Sequence, residues 1–366
     1  MRVAVLGAGH GGQAMAADLT LAGHEVRLAA VPEHAGKIAI LKAIGGIHLE
    51  GTTSTGVPAG FARIALITDD VPQAIAGAAV IMLVLPAFAQ KPYMEILRRW
   101  AERGQLVVFN PGKFAALEFT RMLIEAGRYG EILVGETETL IYAARIQAAG
   151  HNRIMGIKNM TYYAAMPAVQ TARTLRVLDD LLPRFAPARN VLQTSVDDMA
   201  MTIHPITTLM NASRIEQLGP YLTHHYDITP ALGRVILAVD GERYAIAQRL
   251  RYETLSFFEN YERYYGVSGK SVDELILNVA AYGSMSSPDK LTHRYVTEEV
   301  PYGLVAVEAM GRVVGVPTPG MSAIIELANM ANDVDYRAGG RRFEAMGLAG
   351  FDLEGLIDYV TYGPRD

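Results

Sequence analysis

The stretch that most limits what this chain can fold into is Met1-Arg-Val-Ala-Val-Leu-Gly-Ala-Gly-His-Gly-Gly-Gln-Ala-Met-Ala-Ala. A short apolar run, Val3 to Leu6, passes straight into Gly7, Gly9 and Gly12, and a small-residue helix is predicted to follow and to stop near Gly23. Strand, glycine turn and helix in that order form the dinucleotide-binding pattern G-x-G-x-x-G. Gly7 permits the tight turn, Gly9 lets backbone amides approach a pyrophosphate, and Gly12 lets the helix lie close to the sheet. The first N–H groups of the helix then face the anion. Gly7, Gly9, His10, Gly11 and Gly12 are therefore candidate cofactor-binding residues. The bland alternative is a glycine-rich turn that binds nothing; the strand before it and Ala14, Ala16 and Ala17 after it weigh against that.

The next segments repeat the alternation of strand and helix. His24 to Ala30 reads as the second strand, at whose end NAD-binding folds commonly carry an acid for the ribose 2′-OH. Here Ala30 stands at that end, and the first acid, Glu33, lies beyond Pro32. The missing acid, with His34 and Lys37 as partners for a 2′-phosphate, favours NADP over NAD; solvated loop charges are the plain alternative. Val80 to Leu85 is a continuous apolar strand of the kind buried in parallel sheets, stopped by Pro86. The strand from Gln105 to Phe109 ends in Asn110-Pro111-Gly112. Ligands of such sheets bind beyond the carboxyl ends of the strands, which adds Pro86, Asn110 and Gly112 to the cofactor candidates. The βαβα order predicts an α/β, doubly wound Rossmann-type sheet. Ile132 to Thr137, Leu140 to Ile146, His151 to Lys158 and Met160 to Ala165 read as an antiparallel extension of that sheet. Glu136 and Thr137 follow a strand end, facing substrate or else closing a turn.

A chain of 366 residues suits two domains. Pro183, Pro187 and neighbouring charges interrupt the periodicity, so the expected division is a dinucleotide-binding domain over 1–186 and an all-helical domain over 187–366. In the second half, Met199, Ile203, Ile206 and Met210 keep helical spacing, and His204, Thr208 and Asn211 form a polar stripe beside them. Pro205 predicts a helix break or start at His204. Thr229-Pro230 reads as an N-cap with proline at the first helical position, and Ser271-x-x-Glu274 matches a capping box. Ser286 to Pro301 reads as an irregular loop. The cluster Phe257, Phe258, Tyr261, Tyr264 and Tyr265 suits core packing or a subunit interface, which makes a homodimer compatible with the helical half.

Composition removes several classes of function. A net charge of −5 argues against nucleic acid as a partner. The absence of cysteine excludes thiolate catalysis and Cys-ligated zinc and fits a reducing cytoplasm. No secretory leader is expected, since the first strand begins at residue 2 or 3. The apolar run Ala76 to Ala89 is too short to span a membrane. No metal centre is expected, and the partners are small molecules.

A nicotinamide enzyme needs a group that moves a proton as hydride moves, most often histidine. His204, beside Pro205 on a polar stripe, is the best placed of nine, although a lone helical histidine is commonly structural. Asp197, Asp198, Asp240 and Glu299 are all candidates for its carboxylate partner. Arg145, Arg214 and Arg294 are candidates to hold a substrate carboxylate.

Taken in order, Gly7-x-Gly9-x-Gly11-Gly12, Leu85-Pro86-Ala87, Asn110-Pro111-Gly112, Gly135-Glu136-Thr137, His204-Pro205 with Asn211-Ala212, Val239-Asp240-x-Glu242-Arg243, Arg294-Tyr295-x-x-Glu298-Glu299 and Val316-Pro317-Thr318-Pro319 resemble the opine dehydrogenases. That family includes the octopine, nopaline and N-(1-carboxyethyl)-norvaline enzymes, and the resemblance runs over nearly the whole chain. It implies NAD(P)H-dependent reductive condensation of an amino acid amine with an α-keto acid such as pyruvate, through an imine. It implies His204 as the proton-transfer residue, Glu299 or neighbouring Glu298 as its partner, and Arg294 as the clamp on the keto acid. Thr208, Asn211, Glu136 and Thr137 would shape the substrate pocket, and domain closure would exclude water. Glu299 stands where relatives carry Asp, and Ala30 where the norvaline-type enzyme does. A 2-dehydropantoate reductase-like keto-acid reductase and a non-catalytic NAD(P)-binding sensor are the competing readings. The former usually relies on lysine.

Overall fold

A computed structural model describes residues 1–218, 227–283 and 286–364, with the side chains of His34 and Ala35 excepted. The chain divides into two compact units, Met1–Thr194 with Val360–Asp366, and Ser195–Tyr359. Residues 185–187, beside the expected break, form an edge strand of the first unit's main sheet.

Among the described residues the first unit contains twelve strands: β1 (Arg2–Leu6), β2 (Glu25–Ala29), β3 (Gly46–Gly51), β4 (Phe61–Arg63), β5 (Leu66–Thr68), β6 (Val80–Leu83), β7 (Leu106–Phe109), β8 (Leu133–Thr137), β9 (Tyr142–Ala148), β10 (His151–Ile157), β11 (Thr161–Met166) and β12 (Phe185–Pro187). Eight of them form one sheet in the order β12-β11-β8-β7-β6-β1-β2-β5. Its core is parallel, as the apolar β6 and β7, buried at every residue, require. The order reverses between β1 and β6, the topological switch point of doubly wound sheets. β11 runs antiparallel to β8, the expected extension. The remaining segments do not continue that sheet. β4, β3, β10 and β9 form a second sheet, in which β10 pairs parallel with β3 and antiparallel with β9.

Helix His10–Leu21 packs on strands of both sheets, and Gly12 to Leu19 are buried. A helix covered on both sides has no solvent stripe, which is why it is small and apolar all round. Its one buried acid, Asp18, accepts from the Ser54 N–H at 3.2 and 3.1 Å and from the Tyr142 hydroxyl at 2.7 Å. Burial and that carboxylate push the Tyr142 phenol well above its usual range.

The second unit is helical. Ala200–Met210, Pro230–Arg249, Phe257–Tyr265, Val305–Val314 and Pro319–Asn332 are its principal helices. Pro205 lies within the first of these and does not break it. The Thr229 hydroxyl accepts from the Leu232 N–H at 3.3 Å, as its cap position predicts. The full reciprocal capping box is Ser256 with Glu259; at Ser271 the Glu274 carboxylate bonds the Lys270 N–H instead. Phe257, Tyr261 and Tyr264 are buried within this unit, so packing inside the unit accounts for the aromatic cluster. The segment read as a loop to Pro301 contains helix Arg294–Thr297 and leads into a π-turn, Val300–Leu304. No helix among the described residues is long and apolar enough to cross a membrane.

The motif from Val239 to Arg243 has a packing explanation. Arg243 is fully buried, and its guanidinium donates to Asp240 at 2.6 Å, Asp197 and Thr254 at 2.9 Å, and the Leu255 carbonyl at 2.8 Å. Glu242 accepts from the Gly320 and Met321 N–H groups at 2.6 and 2.8 Å, capping helix Pro319–Asn332. That contact ties the Val316-Pro-Thr-Pro turn to the long helix.

Candidate active site

In the first unit the glycine turn is shaped by what a side chain would strike. Gly7 has φ +116°, and a Cβ there would sit 2.5 Å from the Val84 carbonyl oxygen. A Cβ on Gly12 would lie 1.8 Å from the Gly7 oxygen. A Cβ on Gly11 would meet the flexible end of Leu140 at 2.4 Å and Val84 Cγ1 at 3.1 Å. Gly9, the N-cap of helix His10–Leu21, has nothing within 4 Å of a Cβ. Open space at a helix N-terminus that carries no acid in its first turn suits a diphosphate. His10 is held by the second sheet: its Nδ1 accepts from the Ile146 N–H at 2.9 Å, and its carbonyl accepts from Asn152 Nδ2 at 2.8 Å.

Ala30 is buried at the end of β2, where the Val31 N–H donates to the Tyr93 hydroxyl at 3.0 Å. Lys37 is exposed, and the His34 side chain lies outside the described ones. Pro86 opens a short turn, Ala87–Ala89. Asn110 is buried and accepts from the Thr137 hydroxyl at 2.9 Å. Gln90, which no sequence pattern singled out, donates to the Pro111 carbonyl at 2.9 Å and thereby pins the turn beyond β7.

Glu136 and Thr137 are fully buried. Glu136 accepts from the Ala116 N–H at 2.9 Å, at the start of helix Ala115–Glu125, and from the Thr194 hydroxyl at 2.8 Å. A Cβ on Gly112 would lie 2.4 Å from the Glu136 Cβ, so that glycine makes room for this acid. The geometry therefore differs from the expected pocket-facing role. Both side chains brace the strand-end turns from within, because a buried carboxylate at a helix N-terminus is favoured there.

In the second unit the four candidate partners of His204 separate cleanly. Asp197 and Asp240 bind Arg243. Asp198 accepts from the Ala200 N–H at 3.0 Å. Glu299 is the one beside the histidine, its Oε1 3.0 Å from His204 Nδ1. A carboxylate only accepts, so Nδ1 carries the hydrogen in this pair. Glu299 is buried, whereas the His204 side chain keeps 19% of its surface exposed. Its ring stacks on Tyr295 with centroids 3.8 Å apart and planes 6° apart. The Thr208 hydroxyl donates to the His204 carbonyl at 2.8 Å, and Asn211 donates to the Thr207 and Asp227 carbonyls.

The π-turn delivers Glu299 to this place. Gly303 within it would place a Cβ 2.8 Å from the Met201 Cβ, so only glycine lets the turn lie against helix Ala200–Met210. π-turns of this kind recur at functional sites. Arg294 is half exposed, at 48%, and Glu298, not Glu299, pairs with it at 3.1 Å. Its guanidinium lies over Tyr295 at 5.6 Å. The two adjacent acids thus take different partners, one imidazole and one guanidinium. Arg145 donates to the Ala144 carbonyl in the first unit, and Arg214 pairs with Asp227 at 3.5 Å.

The family model described as NAD/NADP octopine/nopaline dehydrogenase, alpha-helical domain, matches residues 187–332. Opine dehydrogenase of Arthrobacter sp. (strain 1C) is 35% identical over 98% of both chains. Protein ocs of Agrobacterium tumefaciens (strain Ach5) is 24% identical over 97% of this chain and 98% of its own. A solved octopine dehydrogenase with NADH and L-arginine superposes with a TM-score of 0.79 at 20% identity, covering 100% of this chain and 99% of that one.

Proposed function

The chain belongs to the opine dehydrogenase family, and from that premise we propose how its own residues carry out the reaction. It is an NAD(P)-dependent oxidoreductase acting on CH–NH donors: it condenses an amino acid amine with an α-keto acid and reduces the resulting imine. Condensation releases water; reduction adds a hydride to the imine carbon and leaves a secondary amine dicarboxylate. The bound reduced nicotinamide cofactor supplies the hydride. Gly7, Gly9, Gly11 and Gly12 hold its diphosphate, with Pro86, Asn110 and Gly112 forming the strand-end wall.

His204 is the proton-transfer residue. The observation that carries this is its 3.0 Å bond to Glu299, which holds the hydrogen on Nδ1 and leaves proton exchange with the reactants to Nε2. As imidazolium it protonates the oxygen that leaves as water, and the buried carboxylate of Glu299 steadies the charge. Tyr295 fixes the plane of the ring. Arg294, held from behind by Glu298, offers its exposed guanidinium to the keto-acid carboxylate in a bidentate fork. Thr208 and Asn211 keep the helix around His204 in shape.

An NAD(P)H-oxidation matrix of α-keto acids against amino acids, with product masses measured, tests the reading. Turnover that requires both reactants and yields the N-linked dicarboxylate supports it. Keto-acid turnover unchanged without amine supports the reductase reading, and tight cofactor binding with no turnover the sensor. Ala30 in place of an acid and exposed Lys37 nearby favour NADP(H); a higher kcat/KM with NADH would overturn that preference. The chain without cysteine suits the cytoplasm.

A further inference from the structure

Two histidines and a glutamate meet on the second sheet, apart from the reaction machinery. His48 and Glu50 lie two residues apart on β3 and so share a face, and His151 on β10 is the register partner of His48. Ile47 and Leu49 between and beside them are buried, so the three turn away from the core. One ligand atom from each lies within 4.8 Å of the other two. The two imidazoles stack with centroids 5.1 Å apart and planes 16° apart. His48 Nδ1 is buried without a hydrogen-bond partner, the kind of polar atom that an ion or water usually explains.

We propose that His48, Glu50 and His151 form a divalent transition-metal site whose best-fitting cation is Zn²⁺. Two imidazoles and one carboxylate are a borderline donor set, whereas Mg²⁺ and Ca²⁺ take oxygen shells. Zn–ligand bonds of ~2.0–2.1 Å in a tetrahedron place the ligand atoms about 3.3 Å apart. Exposed Glu50 and His151 reach that spacing by rotamer adjustment. Three protein ligands leave one position for water. Arg153, the register partner of Glu50, adds a positive charge on the same face and moderates the affinity.

The cation would clip β3 to β10, strands far apart in sequence. Asn152, next to His151, donates to the His10 carbonyl at the start of the cofactor helix. Metal at this site therefore stiffens the sheet that anchors the glycine turn.

The test is titration of ZnCl₂ into tag-free, EDTA-stripped full-length protein by isothermal calorimetry, with MgCl₂ as contrast. One saturable equivalent of zinc and none of magnesium is expected. Loss of even an outer-shell partner weakens metal sites about 10–100-fold, so His48→Gln and His151→Gln should each weaken binding at least tenfold. His24→Gln should leave it unchanged. All three variants should match the wild-type Tm in EDTA, and zinc should slow amide exchange over 46–51 and 151–157 in the wild type and His24→Gln but not in the two ligand variants. Absence of saturable binding, or binding unaffected by both ligand substitutions, would overturn the site.

Discussion

The glycine turn after β1 and the histidine site on helix Ala200–Met210 are built on opposite principles. The first is made by missing side chains: Gly7 and Gly12 leave room for backbone, and Gly9 faces open space. The second is made by side chains that pair charge to charge, Glu299 with His204 and Glu298 with Arg294. The same contrast runs through the surroundings. The first unit rests on apolar strands buried on both faces, while the second holds the buried guanidinium of Arg243 and, nearer its surface, the buried Glu308 paired with partly exposed Arg337 and Arg312. A backbone site should respond to added volume, and a charge-paired site to lost charge or acid.

Removing the imidazole should give the largest effect. His204→Ala is expected to lower kcat ~10²–10⁴-fold, the usual worth of general acid–base catalysis; a variant keeping more than about a tenth of wild-type kcat would end the assignment. Glu299→Gln should follow, with kcat down by roughly 10²-fold, since losing an orienting carboxylate can cost up to ~10⁴. Glu298→Gln should instead raise KM for the keto acid through Arg294. Steady-state kinetics that show the reverse ranking would exchange the two roles.

Volume probes the other side of the contrast. Gly12→Ala should lower the Tm, because overpacking against the Gly7 carbonyl costs about 1–3 kcal/mol or more. Gly9→Ala should leave the Tm near wild type and raise KM for NAD(P)H. Equal Tm losses in both would mean that Gly9 is a folding residue and not an approach point.

Acid should register last. Burial raises the Glu308 carboxyl, but bonds from Arg337, Ser322 and Arg312 outweigh it and bring the group from 4.5 down to about 2. A depressed folded-state value contributes stability above the unfolded value of 4.5, and this is lost as pH falls toward 2. The partner arginines Arg337 and Arg312 are 31% and 67% exposed, so water screens the pairing and holds the contribution to about 1 kcal/mol. Urea unfolding of the wild type and Glu308→Gln between pH 7 and 4 should show the gap between them closing. A constant gap would place the acid sensitivity elsewhere.

The sequence by itself determined the parts whose residues are contiguous. The glycine turn, the apolar strands and the cap at Thr229 are each set within a few residues by steric and local hydrogen-bond rules. Periodicity reached the helices of the second half, and motif order reached His204, Arg294 and Glu299. Tertiary structure decided that Glu299 and not neighbouring Glu298 meets His204, because 95 residues separate Glu299 from it and the π-turn that brings it close replaces an apparent loop. It alone showed Glu136 turned inward to cap helix Ala115–Glu125. It also drew β3, β4, β9 and β10 into a second sheet. Pairing between distant segments is chosen by register and packing across the whole fold, and neither is written in any one stretch of chain.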